Sequence, residues 1–205
     1  VPERLSIPVE TLQWGNAEHN KIRNEKITFT VPYLGNYQLN GLENVGSHPA
    51  ADIKILEGTP IYAIGNGTVI KAQISSGGFG NNIVLQHNNF PSFEDPSKLT
   101  RIFSGYAHLS EILVKENDVV SKGQLIGHSG NTGASTTPHL HFQIDNDNPA
   151  WHLYWPFTSS DMQAAGLSFF EAINAGLNKD KAAQNTINPM KYVQKYLGDQ
   201  ALDAS

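Results

Sequence analysis

Three histidine-centred segments follow one another along the chain: His48-Pro-Ala-Ala-Asp52, Tyr106-Ala-His108-Leu-Ser110 and Pro138-His139-Leu-His141-Phe142. Imidazole nitrogens and a carboxylate oxygen are typical ligands of catalytic zinc, which takes three protein groups and keeps a fourth position for water. The metal lowers the pKa of that water from about 15.7 towards about 7, so hydroxide becomes available at neutral pH. Two His and one Asp satisfy such a site, and two imidazoles remain to take and return protons in the range where imidazole titrates. Beside a cation, these spare rings could also hydrogen-bond the oxyanion of a tetrahedral intermediate. The inventory is that of a metallohydrolase.

The spacing says what must position these groups. His48 and Asp52 are four residues apart and share a face in either a helix or a strand. Pro49 pushes His48 towards extended geometry, and a β run follows Asp52. His139 and His141 are two apart, so in a strand they share one face while Leu140 and Phe142 take the other. If the two strands are neighbours, both pairs project from one surface. His108 and one of the His139/His141 pair are then the unligated imidazoles. No His-Glu-x-x-His occurs, which excludes the helical zinc motif with its Glu base.

Around these segments, short β runs punctuated by glycine are expected at Asp52 to Ile55, Pro60 to Ile64, Thr68 to Ile74, Asn82 to His87, Arg101 to His108 and His141 to Asp145. Gly65-Asn66-Gly67 between two apolar runs predicts a tight hairpin. The expected fold is mainly β, an antiparallel sheet or partly closed barrel. Three regions follow: an N-terminal extension over 1–45 with one strand at Lys26 to Val31, a core over 46–145, and an insertion with C-terminal helices over 146–205. Ser168 and Glu171 form a capping box opening a helix at Phe169 to Ala175, ended by Gly176. Asn188 caps a second helix with Pro189 at its first position, ended by Gly198. These helices are expected to pack on the sheet. His19, His87, His128 and His152 read as structural or exposed.

Composition narrows the function classes. The chain of 205 residues carries a net charge of −5, with three arginines and no basic run, which argues against a nucleic-acid or anionic-membrane surface. It has no cysteine, so thiol nucleophiles, disulfides and zinc fingers are excluded. No stretch approaches the roughly 18 apolar residues of a membrane span. A start at Val1 is compatible with a removed signal peptide or a trimmed chain. A 2-oxoglutarate iron oxygenase shares the two-His, one-carboxylate set, but no arginine follows Arg101 to hold the cosubstrate. A biotinyl or lipoyl carrier needs an exposed lysine in a tight hairpin, and Lys71 lies inside a strand run.

From Gly46 to Asp145, about half the chain, the sequence resembles the lysostaphin-like zinc peptidases of family M23, which are peptidoglycan endopeptidases. The matching text is His48-x-x-x-Asp52-Ile53, Glu57-Gly-Thr-Pro-Ile-Tyr-Ala63, Gly67-Thr-Val69, Gly80-Asn-Asn-Ile-Val84, His87, Tyr106-Ala-His-Leu-Ser110, Val120-Ser-Lys-Gly-Gln-Leu-Ile-Gly127, Gly130-Asn-Thr-Gly133 and Pro138-His-Leu-His-Phe142. The resemblance implies one Zn2+ per chain held by His48, Asp52 and His141, with His108 and His139 as the unligated catalytic pair. It implies a groove over the metal, a peptidoglycan peptide as substrate and an extracytoplasmic location. The alternative it carries is a noncatalytic or latent module that binds cell wall or regulates other wall hydrolases. Ala50 departs from the family's frequent Gly. The Asn88 to Thr100 stretch reads as a long loop and a candidate groove wall, as does the aromatic cluster Trp151, Tyr154, Trp155 and Phe157, whose other reading is packing. Some relatives are latent because an N-terminal Asn meets the zinc, which makes Asn36, Asn40 and Asn44 candidates here.

Overall fold

The structure is a computed structural model that describes residues 31–38 and 42–196. Ten strands form among the described residues: β1 (Ala51–Ile53), β2 (Pro60–Tyr62), β3 (Gly67–Gln73), β4 (Asn81–Pro91), β5 (Leu99–Leu109), β6 (Glu111–Ile112), β7 (Val119–Val120), β8 (Leu125–His128), β9 (Leu140–Asp145) and β10 (Thr186–Ile187). Four short helices complete it: α1 (Ser159–Ala165), α2 (Phe169–Asn174), α3 (Lys179–Asn185) and α4 (Pro189–Tyr196). The larger sheet runs β1-β9-β5-β4-β3-β7, with β10 also on β9, and a smaller one runs β2-β8-β6. Every pairing is antiparallel.

The period-2 rule sorts the residues of β9 by face. Leu140, Phe142 and Ile144 join Ala51, Ile53, Tyr106 and Leu109 in the main apolar core, where Tyr192 and Val193 of α4 also pack. His141, Gln143 and Asp145 point to the other face. All six β9 side chains are buried, so that polar face must satisfy its own hydrogen bonds or bind something that does.

The chain before β1 pairs with it. Asp52 N–H donates to Val31 O (2.8 Å), Leu34 N–H to His48 O (2.7 Å) and Gly46 N–H to Leu34 O (2.9 Å). Residues 31–35 therefore clamp the extended segment that carries His48.

Two expectations are corrected. Gly65-Asn66-Gly67 does not close a hairpin, because β2 pairs with β8 while β3 pairs with β4 and β7, so the turn passes between sheets. Gly67 is required there by space: a Cβ would stand 2.8 Å from Gln86 O. The Asn88 to Thr100 stretch is a shorter loop than expected, residues 92–98, since β4 runs on to Pro91 and β5 starts at Leu99. Helix signals fare better. The Glu171 carboxylate accepts the Ser168 N–H (2.9 Å) and Oγ–H (2.6 Å), Gly176 sits at φ 71° after α2, and Asn188 Oδ1 accepts the Lys191 N–H (3.1 Å) at the start of α4. Helices α1 and α3 lie where no helix was read. No residue of α1 is buried, so it has no apolar stripe to read. Residues 26–30 and Gly198 lie outside the described residues.

Candidate metal centre and its aromatic pocket

The register of β1 and β9 sets Asp52 directly opposite His141. Their side chains meet on the polar face, with Asp52 Oδ1 3.0 Å from His141 Nδ1. His48 arrives from the clamped segment, its Nε2 3.3 Å from the same oxygen. Ligand atoms of His48, Asp52 and His141 all lie within 4.8 Å of one another, and all three residues are buried.

Hydrogen bonds assign the ring nitrogens. His48 Nδ1 lies 2.8 Å from Ala50 O, a pure acceptor, so it carries the proton. His48 Nε2 is then a buried lone pair without a hydrogen bond. His141 Nε2 faces Gln143 Oε1 at 3.0 Å, while Gln143 Nε2 donates to Asp145 Oδ1 (2.6 Å) and Tyr154 O (2.8 Å). That fixes the Gln143 amide with its oxygen towards His141, which leaves His141 Nδ1 as a lone pair. Asp145 Oδ2 in turn accepts from His152 Nδ1 and Tyr154 N–H, both at 2.8 Å. An orphaned buried nitrogen, a carboxylate and a second oriented imidazole fit a divalent cation of borderline softness such as zinc.

Electrostatics agree with a ligand role. Burial would raise the Asp52 carboxyl, but the neighbouring His48 and the hydrogen bond and charge of His141 outweigh it and hold it well below the usual carboxylate range. Burial pushes His141 down, against the pull of Asp52. An ionised carboxylate beside a neutral imidazole is the state a metal binds.

His108 reaches this face through a bulge. Asn81 pairs with Leu109 and Ile83 with Tyr106, so two steps on β4 answer three on β5. The extra residue lets Ala107, opposite His141, and His108 both serve the site before Leu109 returns to the core. His108 sits at φ 61°, a left-handed conformation that costs a non-glycine residue about 1–2 kcal/mol. Its N–H donates to Phe79 O (2.9 Å) and its Nδ1–H to Thr132 O (2.7 Å), which hold it there. Gly130 packs behind it, where a Cβ would stand 2.4 Å from Ser110 N. Burial, and then the charges of His141 and His139, bring the His108 pKa down to about 4.

His139 is oriented in the same way, its Nδ1–H donating to Thr137 O (2.7 Å), with Ser135 Oγ at 3.2 Å. Its Nε2 lies 3.7 Å from Asp52 Oδ2, and its ring centroid is 4.7 Å from that of His108. All five sequence-predicted site residues therefore meet at one place.

A pocket of about 360 Å³ opens on His108 and His141, lined by Tyr37, Phe79, Trp155 and Phe169. Of the predicted aromatic wall only Trp155 faces it. Trp151 is exposed, and Phe157 packs behind with Ala172 and Ile173. The β4–β5 connection is not a wall of this pocket: Ser92, Phe93 and Glu94 line a separate cleft of about 780 Å³, as does Asn44. Asn36 does not line the site pocket, and Asn40 lies outside the described residues. From that N-terminal segment it is Tyr37 that reaches the site. Tyr37, Phe79, Phe169 and Gln143 were not singled out from sequence; the neighbours that give the three rings their role are distant in the chain. His87, His128 and His152 take structural partners, and His19 lies outside the described residues.

The family model described as Peptidase family M23 matches residues 46–152, more than half of the chain. This chain belongs to that family. An uncharacterized metalloprotease of Haemophilus influenzae is 33% identical over 159 residues, which are 76% of this chain and 31% of the relative. The peptidoglycan DD-endopeptidase ShyA of Vibrio cholerae is 41% identical over 102 residues, 50% of this chain and 21% of the relative. Lysostaphin of Staphylococcus simulans is 42% identical over 100 residues, 49% of this chain and 18% of the relative. The chain thus spans about a third or less of the length of these relatives. The M23 match contains the five candidate site residues, whereas Tyr37, Trp155 and Phe169 fall outside it. Among the described residues of this M23 chain, no helix is long and apolar enough to cross a membrane.

Proposed function

We propose that this chain is a zinc-dependent endopeptidase that hydrolyses peptide bonds in the stems or cross-bridges of peptidoglycan, outside the cytoplasm. One observation carries the reading: a complete three-residue ligand cluster, His48, Asp52 and His141, shares its face of the sheet with two further imidazoles, His108 and His139. Peptidoglycan as substrate is supported by membership of M23 and by the likeness to ShyA.

His48 Nε2, an Asp52 carboxylate oxygen and His141 Nδ1 would hold the ion. Bound zinc supplies Lewis acidity, making water acidic enough to ionise near neutral pH and favouring negative charge on a peptide oxygen. The protein's own residues do the rest. His108 and His139 each give their Nδ1 proton to a backbone carbonyl, so each turns a lone-pair Nε2 to the reaction. Between them they take the proton that water loses, return it to the departing amine and, when protonated, hydrogen-bond the tetrahedral oxyanion. The deep burial of the site keeps bulk water from competing for those hydrogen bonds.

The test is release of soluble muropeptides from purified peptidoglycan, read by mass spectrometry, for wild type, His108→Ala and a chelated sample. New peptide ends that vanish in both controls are expected. No release by a protein that holds one zinc would replace the reading with a noncatalytic wall-binding or regulatory module.

A further inference from the structure

The pocket beside the candidate ligands has an aromatic wall that belongs largely to this chain rather than to the M23 match. Trp155 stacks on Phe169 with ring centroids 5.4 Å apart and planes 13° apart, and Phe79 meets Trp155 edge-on at 5.9 Å. Tyr37 leans edge-on against Phe170 at 5.1 Å, and its backbone N–H donates to Asn174 Oδ1 (2.7 Å), which pins the N-terminal segment to α2. The wall is thus assembled from three separate stretches of sequence, each fixed by its neighbours. Yet Phe169 and Tyr37 keep 36% and 39% of their surface exposed at the rim. Packing alone leaves those exposed rings without a purpose.

No carboxylate, ammonium or guanidinium lines the pocket. A charged side chain entering it would lose hydration without gaining a counter-charge, and a glycine would leave the ring faces uncovered. An aliphatic side chain covers them at no such cost. The pocket opens on His108 and His141, so whatever fills it lies next to the bond presented to the metal centre.

We propose that Tyr37, Phe79, Trp155 and Phe169 form a side-chain subsite for an uncharged, apolar residue flanking the scissile bond, which sets the substrate class within the endopeptidase reading on which it rests. The subsite is tested with synthetic peptides that differ only in one residue beside the cleaved bond, Gly, Ala, Leu, Glu or Lys, varied on each side in turn. Cleavage is measured with the zinc-loaded wild type, and binding by calorimetry with zinc-loaded His108→Ala. Ala and Leu peptides are expected to exceed Gly, Glu and Lys about tenfold in kcat/KM and in affinity. Trp155→Ala and Phe169→Ala should raise KM about tenfold with a smaller change in kcat, erasing that ranking, and Trp155→Phe should restore most of it. Phe169 is on the surface of a short helix, so Phe169→Ala carries the comparison if Trp155→Ala fails to fold. Glu, Lys or Gly peptides handled as well as Leu, or a ranking untouched by the wall variants, would overturn the subsite. The expected ranking in binding without any cleavage supports the subsite and sinks the endopeptidase reading; cleavage without ranking does the reverse.

Discussion

His141 Nε2 and Gln143 Oε1 stand 3.0 Å apart on the same face of β9, two residues from each other in sequence. That contact decides which nitrogen of His141 is free to bind a metal. Replacing Gln143 by Leu removes the acceptor and also the donor to Asp145 and Tyr154 O, so the ring loses its fixed tautomer. Partners of this kind are typically worth 10- to 100-fold in metal affinity. Gln143→Leu should weaken zinc binding by about that factor, measured by competition with a chromophoric chelator, and an unchanged affinity would show that His141 is oriented by something else. Gln143→Glu keeps an acceptor for His141 but sets a carboxylate against Asp145 Oδ1, now 2.6 Å from Gln143 Nε2. It should hold zinc better than the Leu variant while melting at a lower temperature than wild type.

Zinc should also stabilise the fold, because its three candidate ligands come from segments that unfolding separates. A ligand at one hundred times its Kd adds about 2.7 kcal/mol, or about 5–10 °C in Tm for a chain of this size. His48→Ala, Asp52→Asn and His141→Ala should each abolish that rise in a calorimetric scan. A full zinc-induced shift in Asp52→Asn would remove Asp52 from the ligand set.

For the unligated pair the signature is opposite. His108→Ala and His139→Ala should each retain one zinc by elemental analysis while kcat/KM drops about 10²–10⁴-fold. The double variant should lose little more than either single one, since the two rings act as a unit. Loss of zinc in either single variant would recast that residue as a ligand.

How far this site was legible depended on how local each signal was. His48 and Asp52 share a face because Pro49 and the following β run force extension, and the strand parity of His139-Leu-His141 needs only the neighbours of each residue. Register then did what spacing could not promise, putting Asp52 opposite His141. The approach of His108 was not legible. Strict alternation would send it into the core after Ala107, and only the extra residue that β5 carries against β4 turns it to the site. The glycines of Gly65-Asn66-Gly67 misled for the same reason in reverse. A turn signal reports local backbone, not the partners of the flanking strands. Asn66 instead gives its carbonyl to His87 and its side-chain oxygen to the Lys122 N–H. The aromatic wall is least local of all, since Tyr37 and Phe169 become neighbours of His108 and Trp155 only after the sheet has formed.

His87 provides a pH test that is separate from the metal centre. Its ring is fully buried, with Nδ1–H donating to Asn66 O (2.7 Å) and Nε2 2.7 Å from Ser104 Oγ. Burial favours the neutral imidazole, lowering its pKa from 6.5 to about 4 against the opposing pull of the Asn66 carbonyl. Between those two values the unfolded chain binds a proton that the folded chain refuses. Stability therefore falls as pH falls from about 6.5 and stops falling on this account near 4, by which point the loss is about 3 kcal/mol. Asp52, held well below the usual carboxylate range, loses its contribution only at lower pH. His108 and His141 shift in the same direction as His87, so the wild-type slope alone does not isolate it. His87→Asn keeps a donor for Asn66 O and has no titrating group. It should be less stable than wild type at pH 7, because of the cavity it leaves, yet lose less stability between pH 7 and 4.5 in urea unfolding. Parallel pH dependences for the two proteins would mean that His87 is not the buried neutral histidine whose protonation opposes folding.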